Sequence, residues 1–293
     1  MTRPDTMIPH PALQPYARGV EVGGRHLFFY DAGAGERTPL VLVHGLGDEA
    51  DTWRRVLPAL ARHRRVLAPD LPGFGRSGGP SRAYTSAFFA RAIAGFLAAL
   101  GIDRATLVGH SMGAAVAQRL AIARPELVER LVLIGGGLPM QRRYPPGQLW
   151  LFLVPGLGEA IYASLRRSQD GAYATLRPYY YDLDALPAEE RAFLRQRVWA
   201  RVWSGGQRRA FLSALRWLSI EGATRADTFR ERMARMRTQT LVVWGEHDLI
   251  VPRAAGEALA GQLPRAQLHV VPGSGHLPHQ ERPEMVEQLL REI

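Results

Sequence analysis

Ala105-Thr106-Leu107-Val108-Gly109-His110-Ser111-Met112-Gly113-Ala114-Ala115-Val116-Ala117-Gln118-Arg119-Leu120 is the run whose reading decides the architecture. Residues 105–108 form an apolar run that reads as a buried strand, and the residues from Ala114 onward read as a helix. Between them Gly109-His110-Ser111-Met112-Gly113 has the form G-x-S-x-G. A chain that turns this sharply from strand to helix strains the central residue and lifts its side chain above the end of a sheet. Side chains on either flank would clash, so glycine is needed at both positions. Ser111 is therefore a candidate nucleophile. A small-residue turn between strand and helix is common, so the rest of the chain has to support that reading.

On the amino-terminal side, residues 1–18 read as a polar arm. Two short runs, 19–24 and 25–30, follow as a hairpin turning at Gly23-Gly24. Leu40-Val41-Leu42-Val43 and Val66-Leu67-Ala68 are apolar throughout, as strands buried on both faces must be. Trp53, Val56, Leu57 and Leu60 predict a helix from about Thr52 to Arg62, and an alanine-rich helix spans Ser86 to Leu100. Beyond the serine turn, Leu131-Val132-Leu133-Ile134 is another buried strand, closed by Gly135-Gly136-Gly137. This alternation of strand and helix implies a largely parallel sheet with helices on both faces. From 138 to 225 buried strands disappear, and helical runs at about 148–167, 187–203 and 207–220 carry many aromatics. The expected organisation is a core from 1 to 137, an inserted helical cap at 138–225, and a second piece of core at 226–293. In that last piece Thr240–Trp244 and Gln267–Val271 read as strands, with helices at about 253–262 and from Pro283.

Three strand ends carry the residue types that acyl transfer needs. Serine is a poor nucleophile near neutral pH and requires a base, for which histidine has the appropriate pKa. His276 stands just past the last strand, in Gly273-Ser274-Gly275-His276. The base in turn needs a carboxylate to orient it, and Asp248 lies just past the preceding strand. Loops at the carboxyl ends of parallel strands share one edge of the sheet.

With His44-Gly45-Leu46-Gly47, Asp70-Leu71-Pro72-Gly73-Phe74-Gly75-Arg76-Ser77 and Trp244-Gly245-Glu246-His247-Asp248 added in order, the chain resembles the α/β-hydrolase superfamily over about 19–136 and 226–293. The resemblance implies a mostly parallel sheet of the eight-stranded type flanked by helices, with an inserted cap. It also implies the triad order Ser111, Asp248, His276 and an oxyanion hole made by the backbone N–H groups of Leu46 and Met112. His44, Gly45, Gly109, His110 and Gly113 are the supporting motif residues. The implied reaction proceeds through an acyl-enzyme on Ser111 and needs no cofactor and no metal.

Other residues take plainer readings. His44 shapes the oxyanion loop, His110 packs or hydrogen-bonds within the turn, and the Asp70 loop is structural. His247 is a surface residue and Trp53 a core residue. His279 is set aside in favour of His276. Glu281 and Arg282 fix the start of the last helix. Arg191, Arg195, Arg197 and Arg201 form a solvated helix face.

The reaction class is narrowed residue by residue. Superfamily dehalogenases and epoxide hydrolases use an aspartate where this chain has Ser111, and proline iminopeptidases favour a different elbow and an acidic cap. The C–C hydrolases of aromatic degradation often carry asparagine before the serine and tryptophan after the histidine, where His110 and Leu277 stand here. Perhydrolases share the same triad. The expected activity is that of a carboxylic ester hydrolase, esterase- or lipase-like, with short-to-medium apolar acyl groups. Its alternatives are a hydrolase of a vinylogous diketone C–C bond and a non-catalytic ligand-binding protein of the same fold.

Composition closes other routes. There is no cysteine, hence no disulfide, cysteine nucleophile or cysteine-zinc site. The formal net charge is +10, and all 37 basic residues are arginine, scattered without a tract. That pattern reads as compositional bias and not as a nucleic-acid footprint, although it allows transient contact with anionic lipid. Met1 to Pro9 lacks an apolar signal core, and Leu149–Val154 is too short to span a bilayer. The expected setting is cytoplasmic, with a small-molecule ester as partner.

Overall fold

A computed structural model of the chain describes residues 7–80, 83–138 and 147–293. Residues 1–6 of the expected arm and 139–146 at the head of the expected cap lie outside the described residues. Eight strands form one sheet: β1 (Ala17–Glu21), β2 (His26–Ala32), β3 (Leu40–Val43), β4 (Val66–Pro69), β5 (Ala105–His110), β6 (Val128–Ile134), β7 (Gln239–Gly245) and β8 (Ala266–Val271). Their order is β1-β2-β4-β3-β5-β6-β7-β8. The β1–β2 hairpin and the β2–β4 pairing are antiparallel, and every pairing from β4 through β3 to β8 is parallel.

The central strands are apolar at every position because both faces are covered. Alternate residues point to opposite sides. Val41, Val43, Leu107, Leu131 and Leu133 join a core with Phe88, Phe89 and Phe96 of α2 (Ser86–Ala99) and Val116 and Leu120 of α3 (Met112–Ala123). Leu40, Leu42, Val108, Val132 and Ile134 face Trp53, Leu57, Leu60, Val286 and Leu290 on the other side.

The helix expected over 52–62 is broken. A 3₁₀ turn covers Ala50–Trp53, and a short α1 covers only Leu57–Leu60. Pro58 has no N–H to give to the preceding turn, so a continuous helix cannot pass through it.

Between β6 and β7 the chain builds α4 (Leu157–Ser164), α5 (Gln169–Ala174), α6 (Ala188–Trp203), α7 (Gly205–Thr224) and α8 (Ala226–Ala234). The run expected over 148–167 divides at Pro155-Gly156, where Gly156 takes φ +81°. α6 ends at Ser204, whose hydroxyl caps α7 by accepting from the Gln207 N–H. This insertion builds an apolar cluster around Tyr162, Val198, Trp199 and Val202, and a second around Tyr173, Tyr180, Leu183, Leu186 and Leu194 that takes in Leu277 from the loop after β8. The remaining helices are α9 (Arg253–Gln262), α10 (Pro278–Glu281) and α11 (Pro283–Arg291). No described helix is long and apolar enough to cross a membrane.

Parallel pairing sends the carboxyl ends of β3, β5, β6, β7 and β8 to the same edge. That edge receives His44–Asp48, Ser111, Gly135-Gly136, Asp248 and His276.

Candidate active site

Ser111 has φ +53° and ψ −116°, the one positive φ at a non-glycine residue among those described. The turn is tight enough to dictate both of its glycines. A Cβ on Gly109 would lie 2.3 Å from the Gly113 carbonyl oxygen, and one on Gly113 would lie 2.2 Å from that of Val43. The strain is held by the packed ends of β3 and β5 and by the Ser111 N–H, which donates to the Ile134 carbonyl at 2.8 Å. Ser111 remains partly exposed.

Asp248 and His276 meet in a buried pair. One oxygen of Asp248 accepts from the N–H groups of Ile250 and Val251, both at 2.8 Å. The other lies 2.8 Å from His276 Nδ1. Nδ1 is thereby the donor to a carboxylate, which leaves Nε2 with the free lone pair that a general base needs. Ser111 and His276 lie on either side of the Gly135-Gly136 turn. A Cβ on Gly135 would sit 3.3 Å from His276 Nδ1, and one on Gly136 would sit 2.3 Å from the Ser111 carbonyl oxygen. No hydrogen bond links the Ser111 hydroxyl to His276 among the described residues. In substrate-free sites of this kind that contact is often long and tightens on binding.

The loop after β3 closes the other side. A Cβ on Gly45 would fall 3.2 Å from the Ser111 Cβ, so the loop runs against the serine. His44 is buried and fixes the path, Nδ1–H donating to the Gly45 carbonyl at 2.8 Å and Nε2 accepting from the Leu71 N–H at 2.8 Å. No described backbone carbonyl takes the N–H of Leu46 or of Met112. Met112 is the first residue of α3, where the N–H groups have no partner within the helix. Two free amides beside a strained hydroxyl can stabilise negative charge developing on an oxygen.

Two more histidines stand behind the base. His110 and His276 have ring centroids 4.8 Å apart, and so do His110 and His279. Burial, and then the neighbouring His276, push His110 down to about 3. Burial likewise pushes His279 well below the ordinary histidine value. Both are neutral at working pH. Asp70 accepts from Arg76 and from the Ala50 N–H in a buried structural network. His247 is exposed and stacks on Tyr181 with centroids 4.3 Å apart. Among the described residues no three metal-binding side chains converge as a metal site.

Two expectations are corrected. Arg197 and Arg201 are not on a solvated face: Arg197 is 4% exposed and bridges Glu49 and Asp51. Arg201 grips both oxygens of Glu49 at 2.7 Å and also pairs with Asp48. Regular i, i+4 spacing of arginines on a helix is ambiguous until its partners are known, and here they are acids on the loop after β3. Glu281 does not hold the start of the last helix. Its carboxylate accepts from Gly275, Tyr181 and Asp182 backbone N–H groups. Tyr179, one of the aromatics of the expected cap, meets the base directly: its carbonyl accepts from the His276 N–H at 2.8 Å, and its ring centroid lies 5.9 Å from that of His276.

Comparison with known proteins agrees with this geometry. The model of a family described as alpha/beta hydrolase fold matches residues 38–283. The chain is 33% identical over 264 residues to 2-hydroxymuconate semialdehyde hydrolase of Pseudomonas sp. strain CF600, covering 88% of this chain and 87% of that one. Among solved structures, a meta-cleavage product hydrolase from Pseudomonas fluorescens IP01 superposes with TM-score 0.77 at 25% identity, over 94% of this chain and 96% of that one. A thermophilic esterase from Thermogutta terrifontis superposes with TM-score 0.74 at 26% identity, over 94% and 97% of the two chains.

Proposed function

We propose that this chain, which belongs to the α/β-hydrolase fold family, is a serine hydrolase that works through an acyl-enzyme on Ser111. The observation that carries the reading is the buried Asp248–His276 bond on the sheet edge that also holds Ser111 in its strained turn. In this reading His276 removes the Ser111 proton as the hydroxyl attacks a carbonyl carbon. The resulting oxyanion rests on the amides of Leu46 and Met112, and His276 then protonates the departing group. Water, deprotonated by the same imidazole, releases the acid and restores Ser111. Residues 138–225 act as the cap that selects the acyl group.

For the bond cleaved, the similarity to hydrolases of 2-hydroxymuconate semialdehyde and of a meta-cleavage product supports a C–C bond in a vinylogous diketone. An ester is the second reading, and three features favour it. His110 and Leu277 stand where the C–C hydrolases often have asparagine and tryptophan. Arg197 and Arg201, which reach the loop after β3 from α6, are already neutralised by Asp48, Glu49 and Asp51, which leaves neither free for a carboxylate-bearing dienoate. Phe211 and Tyr179 also present aromatic walls beside the loop and the base.

Hydrolysis of a ring-cleavage dienoate and of a nitrophenyl ester series, measured in wild type and Ser111→Ala, tests both levels. Loss of either activity in the variant supports the serine mechanism, and the ratio of kcat/KM values ranks the two bonds. A wild type no faster than Ser111→Ala on every substrate sinks the reading.

A further inference from the structure

The loop that carries His276 is fastened across a seam to residues 179–182 of the insertion. The His276 N–H donates to the Tyr179 carbonyl at 2.8 Å, and the Tyr180 hydroxyl donates to Gln280 Oε1 at 2.7 Å. The backbones lie directly on one another: a Cβ on Gly275 would be 2.7 Å from the Tyr181 nitrogen and 2.9 Å from the Tyr179 carbonyl oxygen. Glu281 lies at the centre of this seam and is buried at 9% exposure. Its Oε2 accepts from the Gly275 N–H at 2.7 Å, and its Oε1 accepts from Tyr181 and Asp182 at 2.8 and 3.2 Å.

One carboxylate thus satisfies three N–H groups from two segments that are far apart in sequence. Hydrogen bonds to an ionised acceptor are the strong kind, and amides at a dry seam have no water to fall back on. Burial raises the Glu281 carboxyl above its ordinary value, and the Gly275, Asp182 and Tyr181 amides offset part of that rise.

We propose that Glu281 is a positioning residue for His276, a clamp that sets the base against residues 179–182 of the insertion. The proposal rests on the serine-hydrolase reading and extends it. It makes residues 179–182 a fixed part of the seat of the base: that stretch cannot swing away as a lid without carrying the His276 loop with it.

The variant that tests this is Glu281→Gln. A carboxamide keeps one acceptor oxygen and turns an NH₂ toward an N–H that needs an acceptor, so one half of the clamp opens. The base is then misplaced while the loop after β3 and the Phe211 wall are untouched. We expect kcat to fall about ten- to a hundredfold, with KM changed by less than about twofold. Labelling of Ser111 by a fluorophosphonate probe slows by the same factor, with rates normalised to the folded fraction. Glu221→Gln is the control, because Glu221 is also buried but serves Ser86 and Arg119 on α2 and α3; it lowers Tm and leaves the labelling rate alone.

Wild-type kcat and labelling in Glu281→Gln overturn the clamp alone. Failure of the wild-type protein to label overturns the serine-hydrolase reading and the clamp with it. Should Glu281→Gln not fold, Tyr180→Phe removes a second link across the seam. A severalfold loss of kcat at constant KM supports the clamp, and an unchanged kcat overturns it.

Discussion

His110 and His276 are tied by a hydrogen bond that crosses from one strand end to another: His110 Nε2–H donates to the His276 main-chain carbonyl at 2.9 Å. The residue before the candidate nucleophile therefore holds the loop of the candidate base. It does so through Nε2–H, and its depression to about 3 keeps the ring neutral with Nδ1 unprotonated.

That depression has a stability consequence with a definite sign. In the unfolded chain His110 takes up a proton as pH falls through 6.5, whereas in the folded chain it does not until about 3. Between those limits the unfolded state binds the extra proton, so stability declines as pH falls. His279 adds a second proton of the same sign. We expect urea midpoints to fall from about pH 7.5 to pH 5, and the slope to be shallower in His110→Asn and His279→Asn. Equal slopes in wild type and both variants would contradict this assignment.

Asp248→Asn should be far more damaging than its size implies. Two backbone N–H groups already claim one side of the carboxylate, which obliges the carboxamide to turn its oxygen to them. Its NH₂ then faces His276 Nδ1 and forces that nitrogen to accept, which places the ring proton on Nε2. The imidazole can no longer take a proton from Ser111. A kcat loss on the order of 10⁴ is expected, with fold and Tm near wild type.

Much of this arrangement was legible from local rules. Runs such as Leu40–Val43 show burial on both faces, and the clash geometry at Gly109 and Gly113 is local, so a pentapeptide reveals it. The order Ser, Asp, His follows from where β5, β7 and β8 end. What stayed hidden depends on pairings between distant segments. A glutamate such as Glu281 before a Pro-initiated helix looks like a helix-start acid until the Tyr181 and Gly275 amides are seen around it. Arg197 and Arg201 of α6 look solvated until the insertion folds back on the loop after β3. A hydrophobic period also cannot warn that Pro58 will cut a helix short unless the proline is weighed above the pattern.

Arg201 sets a different test. It grips both Glu49 oxygens and pairs with Asp48, so it braces the loop that presents the Leu46 amide. Burial raises the Asp48 carboxyl, yet Arg201, with His44, Thr52 and His110 adding to it, holds it below the ordinary value of 3.8. A depressed carboxylate contributes stability that is complete above 3.8 and lost as pH falls through its lower folded value. Arg201→Met takes the cation from Asp48 and leaves Glu49 with Arg197 alone, at a cost of up to about 3–5 kcal/mol. Burial then acts on Asp48 with its strongest opposing charge removed, and acid unfolding should begin at higher pH than in wild type. Melting curves collected from pH 3 to pH 7, as a rough span around the carboxylate range, measure it. Parallel curves for the two proteins would show that the pair does not brace the loop.

Phe211 of α7 offers control over the acyl group. A Cβ on Gly47 would meet the Phe211 ring at 3.0 Å, so this ring lies directly on the loop that follows β3. Phe152 and Tyr162 back it, with centroids 5.8 and 5.5 Å away. Replacing it with alanine opens apolar room beside the oxyanion loop while leaving Ser111, Asp248 and His276 in place. On a nitrophenyl ester series, Phe211→Ala should favour longer acyl chains. Each methylene newly buried is worth about 0.8 kcal/mol, or roughly fourfold in relative kcat/KM. The acetate ester should lose activity or stay level, since a short chain gains nothing from the added space. If every chain length shifts by the same factor, Phe211 supports the loop without limiting the pocket, and the wall that selects the acyl group lies elsewhere in the insertion.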